Sequence, residues 1–200
     1  MFSIVNVLPH AAWADDDFKI IPDVVYGHKA GMALTFDVIR PEKQNGAAVL
    51  FMMSGGFVST WVPPETFVKA DPPAGFKHFS ELVKRGYTLF IVRHGSSPQF
   101  KVPEVVADVR RAVRYIRTNA ADFGIDPGRI GVCGGSAGGH LSLMLGVASD
   151  EGSGDAADKI DRASDRVAAV VAYFPPVDLK DFMSMKDRFP ALDFDPQLIE

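Results

Sequence analysis

The stretch Arg129-Ile130-Gly131-Val132-Cys133-Gly134-Gly135-Ser136-Ala137-Gly138-Gly139-His140-Leu141 decides how this chain is read. Arg129 to Cys133 is a short strand-forming run, and from His140 to Ala148 small and apolar residues continue as a helix. Between them residues 134–138 spell Gly-x-Ser-x-Gly. A serine on so tight a strand-to-helix turn stands exposed at the carboxyl end of a sheet. The turn strains the serine backbone, and glycines at 134 and 138 remove side chains that would collide where strand and helix cross. The helix points its N-terminal dipole and unpaired N–H groups at the same place, so the Ala137 N–H can stabilise an anionic tetrahedral intermediate. Two other glycine-rich turns are excluded by residue type. A dinucleotide fingerprint needs Gly where Ser136 stands, and a phosphate-cradling loop needs Gly-Lys-Ser/Thr where the chain has Gly138-Gly139-His140. The bland alternative is a glycine-rich helix start with an idle serine; the agreement of motif and context favours a nucleophile.

Working outward, Ile20–Tyr26 and Met32–Arg40 form a predicted hairpin, with alternation clearest in Leu34, Phe36 and Val38 against Thr35 and Asp37. Ala47–Met53 is a continuous apolar run, as expected of a strand covered on both faces. It ends at Ser54-Gly55-Gly56-Phe57, where a second N–H donor for the same intermediate would sit. Phe76, Phe79, Leu82 and Val83 recur at helical spacing up to Gly86, and Tyr87–Val92 is the next buried strand. Apolar residues at 102, 105, 106, 109, 113 and 116 predict a helix from Val102 to Phe123. Its Arg110, Arg111, Arg114 and Arg117 read as a solvated face rather than a phosphate-binding row. Ser149–Asp165 is a polar loop and Val167–Phe174 a buried strand. Strands alternating with helices after a hairpin indicate an α/β domain with a mostly parallel sheet.

Composition excludes several classes. With 200 residues the chain is one domain, or two at most, and needs no disulfide or metal staple. One cysteine, Cys133, rules out an internal disulfide and argues against a Cys-based zinc site. A net charge of −4 argues against a general nucleic-acid binder, and no apolar run is long enough to span a membrane. Residues 1–18 read as an N-terminal arm or a signal-peptide remnant, since Ala12-Trp13-Ala14 has the small-x-small form of a cleavage site. The first case implies a cytoplasmic protein, the second a secreted or periplasmic one. Residues 19–200 are the domain.

The chain resembles the α/β-hydrolases. More narrowly it resembles their esterase branch, the hormone-sensitive-lipase-like and acetyl-xylan- or feruloyl-esterase-like enzymes. The matching residues are Gly55-Gly56-Phe57, Ser97-Pro98-Gln99-Phe100 with Pro103, Gly124-Ile125-Asp126-Pro127 with Arg129-Ile130, and Gly135 to Leu141. The resemblance implies that Ser136 is the nucleophile of a serine carboxylic-ester hydrolase working through an acyl-enzyme. It also implies that the backbones of Gly55, Gly56 and Ala137 form the oxyanion hole, and that the substrate is a small-molecule ester with no metal or organic cofactor. One departure stands out: the family's His-Gly-Gly-Gly is here Met53-Ser54-Gly55-Gly56.

A serine hydroxyl needs a base. After Ser136 comes only His140, one helical turn on, to which the resemblance gives a structural role; His94 falls on the right sheet edge but strands away. Asp178 is a conceivable acid with no histidine to orient. Two further strand–helix units of roughly 30 residues each do not fit between Pro176 and Glu200. The expected chain is therefore the N-terminal part of a hydrolase whose last strands are missing. The alternatives are a non-catalytic protein that binds a ligand or partner through the same cleft, and a related serine peptidase or thioesterase. Leu179, Phe182, Met183, Met185 and Phe189 are expected to pack on the sheet edge or to line a pocket.

Overall fold

The structure is a computed structural model and describes residues 17–69 and 76–179. The elements run β1 (Phe18–Lys29), β2 (Met32–Pro41), β3 (Ala48–Met52), α1 (Lys77–Lys84), β4 (Thr88–Val92), α2 (Val102–Thr118), α3 (Ala120–Phe123), β5 (Ile130–Gly135), α4 (Ala137–Val147) and β6 (Ala169–Tyr173). One six-stranded sheet has the order β1-β2-β4-β3-β5-β6. β1 and β2 pair antiparallel, as do β2 and β4; the other pairs are parallel. The α/β architecture expected from the alternation of elements is present.

The pleat divides the core in two. Leu50, Met52, Phe90, Val92, Phe36 and Val38 face α2 and α4, where Val105, Val109, Val113, Leu141 and Leu145 complete the larger cluster. Leu89, Ile91, Ile39 and Cys133 face the other way, onto Phe79 and Val83 of α1 and onto Phe67. Burial pushes the Cys133 thiol up to about 12, so it is an inert packing residue.

Several boundaries differ from the sequence expectation for identifiable reasons. β1 continues through Gly27 to Lys29 because the hairpin closes on Ala30 and Gly31, both with positive φ. Paired positive φ values form the two-residue turn that matches strand twist. The α2 stripe is buried as read, but the helix breaks at Asn119, and a short α3 ends at Gly124 with φ +68°. There Ile125 N–H bonds Ala120 O at 3.0 Å, closing the helix end. The sixth strand is shorter than read and is not buried: Val171 and Tyr173 are half exposed, because among the described residues β6 pairs only with β5.

The arginine row of α2 is not a solvated face. Arg110 and Arg114 hold Asp150 and Asp165, and Arg111 holds Asp158 and Asp161. Arg117 donates to the carbonyls of Ser164 and Arg166. The row fastens the acidic 150–166 loop onto the helix. Of the apolar residues expected after the last strand, Leu179 packs against the larger core and the others lie outside the described residues, as do residues 1–16. No described helix is long and apolar enough to cross a membrane.

Candidate active site

Ser136 sits between β5 and α4 with φ 52° and ψ −122°, a sparsely populated backbone conformation for a residue with a Cβ. Its N–H donates to Tyr173 O at 2.9 Å, so the end of β6 pins the turn. The glycines around it are sterically required. A Cβ on Gly134 would lie 2.4 Å from the Gly138 backbone, and one on Gly138 would lie 2.4 Å from Met52 O. Strand β5, helix α4 and the end of β3 thus meet at van der Waals contact. His140 N–H bonds Ser136 O at 3.0 Å as the first helical bond, which leaves the Ala137 N–H without an intrahelical partner.

The loop after β3 folds into a second tight turn. Gly55 N–H donates to Val58 O at 2.9 Å and Val58 N–H returns to Gly55 O at 3.0 Å. Between them Gly56 and Phe57 have φ of 56° and 59°. The turn therefore uses the Gly55 N–H internally, while Gly56 N–H makes no backbone bond among the described residues. Phe57 is buried, and its ring meets His140 edge-on with centroids 5.6 Å apart. That contact joins the loop after β3 to the helix that follows Ser136, bringing together the two backbone segments read from sequence.

The histidines do other things. His140 is buried and its Nδ1 lies 2.9 Å from Pro176 O. A carbonyl only accepts, so Nδ1 carries the proton and the ring ties α4 to the segment after β6. His94 follows β4, and β3 lies between β4 and β5, so it stands two strands from Ser136, roughly 10 Å away in the sheet direction. It donates from Nδ1 to Gly95 O at 2.7 Å, burial holds it below the usual imidazole range, and its buried Nε2 has no partner. A cavity of about 360 Å³ opens there, lined in part by Ser59, Trp61, Arg93, His94, Ser96 and Gln99. Among the described residues no cluster of three or more His, Cys, Asp or Glu could hold a metal ion.

One supporting ion pair escaped the sequence reading. Asp37 stands in the polar phase of the β2 alternation, yet it is fully buried and accepts from Arg93 Nη2 at 2.9 Å. Arg93 also reaches Asp23 at 2.9 Å and the Thr35 hydroxyl at 3.0 Å. The signal was available only as a pair: one acid in β2 and one base just after β4.

Residues 36–195 match the BD-FAE family. The chain belongs to that family. It is similar to the esterase LipQ of Mycobacterium tuberculosis, 28% identical over 168 residues, which is 82% of this chain and 37% of that protein. It is also similar to an acetylxylan esterase of Xylanibacter ruminicola, 28% identical over 109 residues, 54% of this chain and 21% of the relative. Among solved structures, a truncated form of a carbohydrate esterase from gut microbiota superposes with a TM-score of 0.64 at 28% identity, covering 84% of this chain and 61% of that one. This BD-FAE chain has the α/β-hydrolase fold expected from its motifs, and it spans less than two thirds of the length of the relatives it matches.

Proposed function

We propose that this BD-FAE chain carries the nucleophile and oxyanion hole of a carboxylic-ester hydrolase. The observation that supports this most is the strained Ser136 held between three backbone segments, beside a second turn whose Gly56 N–H makes no backbone bond among the described residues. Ser136 Oγ attacks the ester carbonyl, and the Ala137 and Gly56 N–H groups receive the negative charge that develops on its oxygen. Gly55 contributes by shaping the turn, since its own N–H is bonded to Val58 O. The alcohol leaves, and water then releases the acid from Ser136. Among the described residues no histidine is hydrogen-bonded to Ser136: His140 is tied to Pro176 O, and His94 stands two strands away. The names of the relatives suggest a small acyl ester of a carbohydrate as the substrate.

The test is incubation with p-nitrophenyl acetate followed by mass analysis. An acetyl group on Ser136, lost in Ser136→Ala, supports the reading. Any turnover above the rate in water is expected to disappear with the acetyl group in Ser136→Ala. The placement of His94 and His140 favours a second reading, a ligand-binding protein that does no chemistry. Absence of any Ser136-dependent acetylation would select it.

A further inference from the structure

Oxyanion donors stabilise a transition state only if they are held in place beforehand, because reorganisation during the reaction consumes the gain. The loop that carries the Gly56 donor runs from Met53 to Ser59 with glycines at 55 and 56, so its turn must be fastened from outside. We propose that Ser96 and Ser59 are positioning residues that clamp the Gly55–Val58 turn from the side of β4. This rests on the ester-hydrolase reading.

Three fastenings surround Gly56. Ser59 N–H donates to Ser96 Oγ at 3.0 Å, and the Ser96 hydroxyl faces back to Ser59 O at 3.5 Å. Ser97 N–H donates to Phe57 O at 3.1 Å, which orients the peptide just beyond the Gly56–Phe57 pair. Ser59 Oγ donates to Met53 O at 2.7 Å, tying the two ends of the loop across its base. Each bond holds backbone rather than a side chain, so any residue at 53 can be held this way.

A clamp is useful only if its jaw is rigid, and the 93–97 segment is. Gly95 N–H donates to Asp108 Oδ2 at 3.0 Å, and Asp108 Oδ1 pairs with Lys29 at 3.0 Å. Arg93 N–H bonds Thr35 O at 3.1 Å, and Phe100 N–H bonds Ser96 O at 3.2 Å. A Cβ on Gly95 would lie 2.6 Å from the Phe100 ring. The segment is thus fixed to β2, to α2 and to its own following turn. Rigidity passes from these elements through the Ser96 hydroxyl to the donors beside Ser136.

The probe is diethyl p-nitrophenyl phosphate, whose phosphoryl oxygen occupies the oxyanion position. Ser136 Oγ forms a bond to phosphorus, p-nitrophenolate leaves, and the serine proton goes to water. Labelling is followed against probe concentration, which separates the first-order step from binding. Ser136→Ala is expected to be unlabelled. Ser96→Ala and Ser59→Ala are expected to slow the first-order step about 10–100-fold, the loss typical of a misplaced group. The half-saturating concentration stays nearly unchanged, and Ser96→Thr, which keeps the hydroxyl, recovers most of the rate. Wild-type labelling by Ser96→Ala, or a loss confined to binding, overturns the clamp. Amide hydrogen exchange gives a readout that needs no chemistry. Ser96→Ala should speed exchange at the Val58 and Ser59 amides at least about tenfold while β4 and α2 stay protected; unchanged exchange also overturns it. If wild-type Ser136 itself takes no label, the hydrolase reading fails separately, and exchange alone decides the clamp.

Discussion

On the β4 side of Ser136 every residue of β4 is buried, and even the charge of Asp37 in β2 is enclosed and paired. On the β6 side Val171 and Tyr173 are half exposed, and Phe174 and Val177 are largely exposed. Both sides touch the serine turn, β3 through Met52 O against Gly138 and β6 through Tyr173 O against Gly139. The difference lies in coverage. β4 has a strand on either side and packed side chains on both faces, whereas among the described residues β6 has β5 alone. Packing that is filled from all directions cannot yield to a new atom; a surface with an open side can. The two flanks should therefore respond to the same kind of change by very different amounts.

The largest contrast is expected between two glycines of α4. Gly138→Ala puts a methyl 2.4 Å from a backbone oxygen of β3, which cannot step aside. It should cost more than about 4 kcal/mol, read as loss of the cooperative denaturant transition or of soluble protein. Gly146→Ala meets only the Val170 Cγ2 methyl at 2.7 Å on the β6 side, and a loss of about 1 kcal/mol is expected. Equal losses would show that the two flanks are equally rigid.

Next in size is the buried ion pair. Asp37→Ala leaves Arg93 largely buried without its main partner and should cost about 3–5 kcal/mol in urea unfolding. Val171→Thr, on the exposed β6 face, should change stability by less than about 0.5 kcal/mol. A large effect at Val171 would mean that this face is covered in solution.

The serine turn itself gives a smaller effect of opposite sign. Ser136→Gly relieves the positive-φ conformation and should raise stability by about 1 kcal/mol while removing all labelling at position 136. Unchanged or reduced stability would show that Ser136 is not strained.

The smallest effect concerns the clasp between α2 and the acidic loop. The Gly152 N–H lowers the Asp150 carboxyl below its usual range, helped by Arg114 and Arg110, and the Ile160 N–H and Arg111 lower Asp158. A folded-state value below the unfolded one stabilises above the unfolded value and is lost as pH falls through the folded one. The 150–166 loop should therefore loosen below about pH 4, seen as faster amide exchange at Gly152 and Ile160 with β4 still protected. Loop and β4 opening together would argue that the clasp belongs to the core.

Much of this was legible in the sequence, and the reason is physical. Strand and helix periods, the glycine punctuation and the Gly-x-Ser-x-Gly turn depend on neighbours within a few residues. The β3, β4 and α2 readings therefore place the core correctly. Errors fell where partners are distant. The arginine row of α2 looked solvated because its carboxylates lie in a loop beyond α4. The last strand looked buried because its residues are apolar, while exposure depends on what packs beside it.

The sequence alone determined the α/β class and a serine on a strand-to-helix turn, because steric exclusion at Gly134 and Gly138 is a local constraint. Tertiary structure decided the rest of the site's character. It assigned the Gly55 N–H to its own turn, attached His140 to Pro176, and enclosed Asp37 with Arg93. Those outcomes depend on which distant group fills each bonding position, and only the packed chain specifies that.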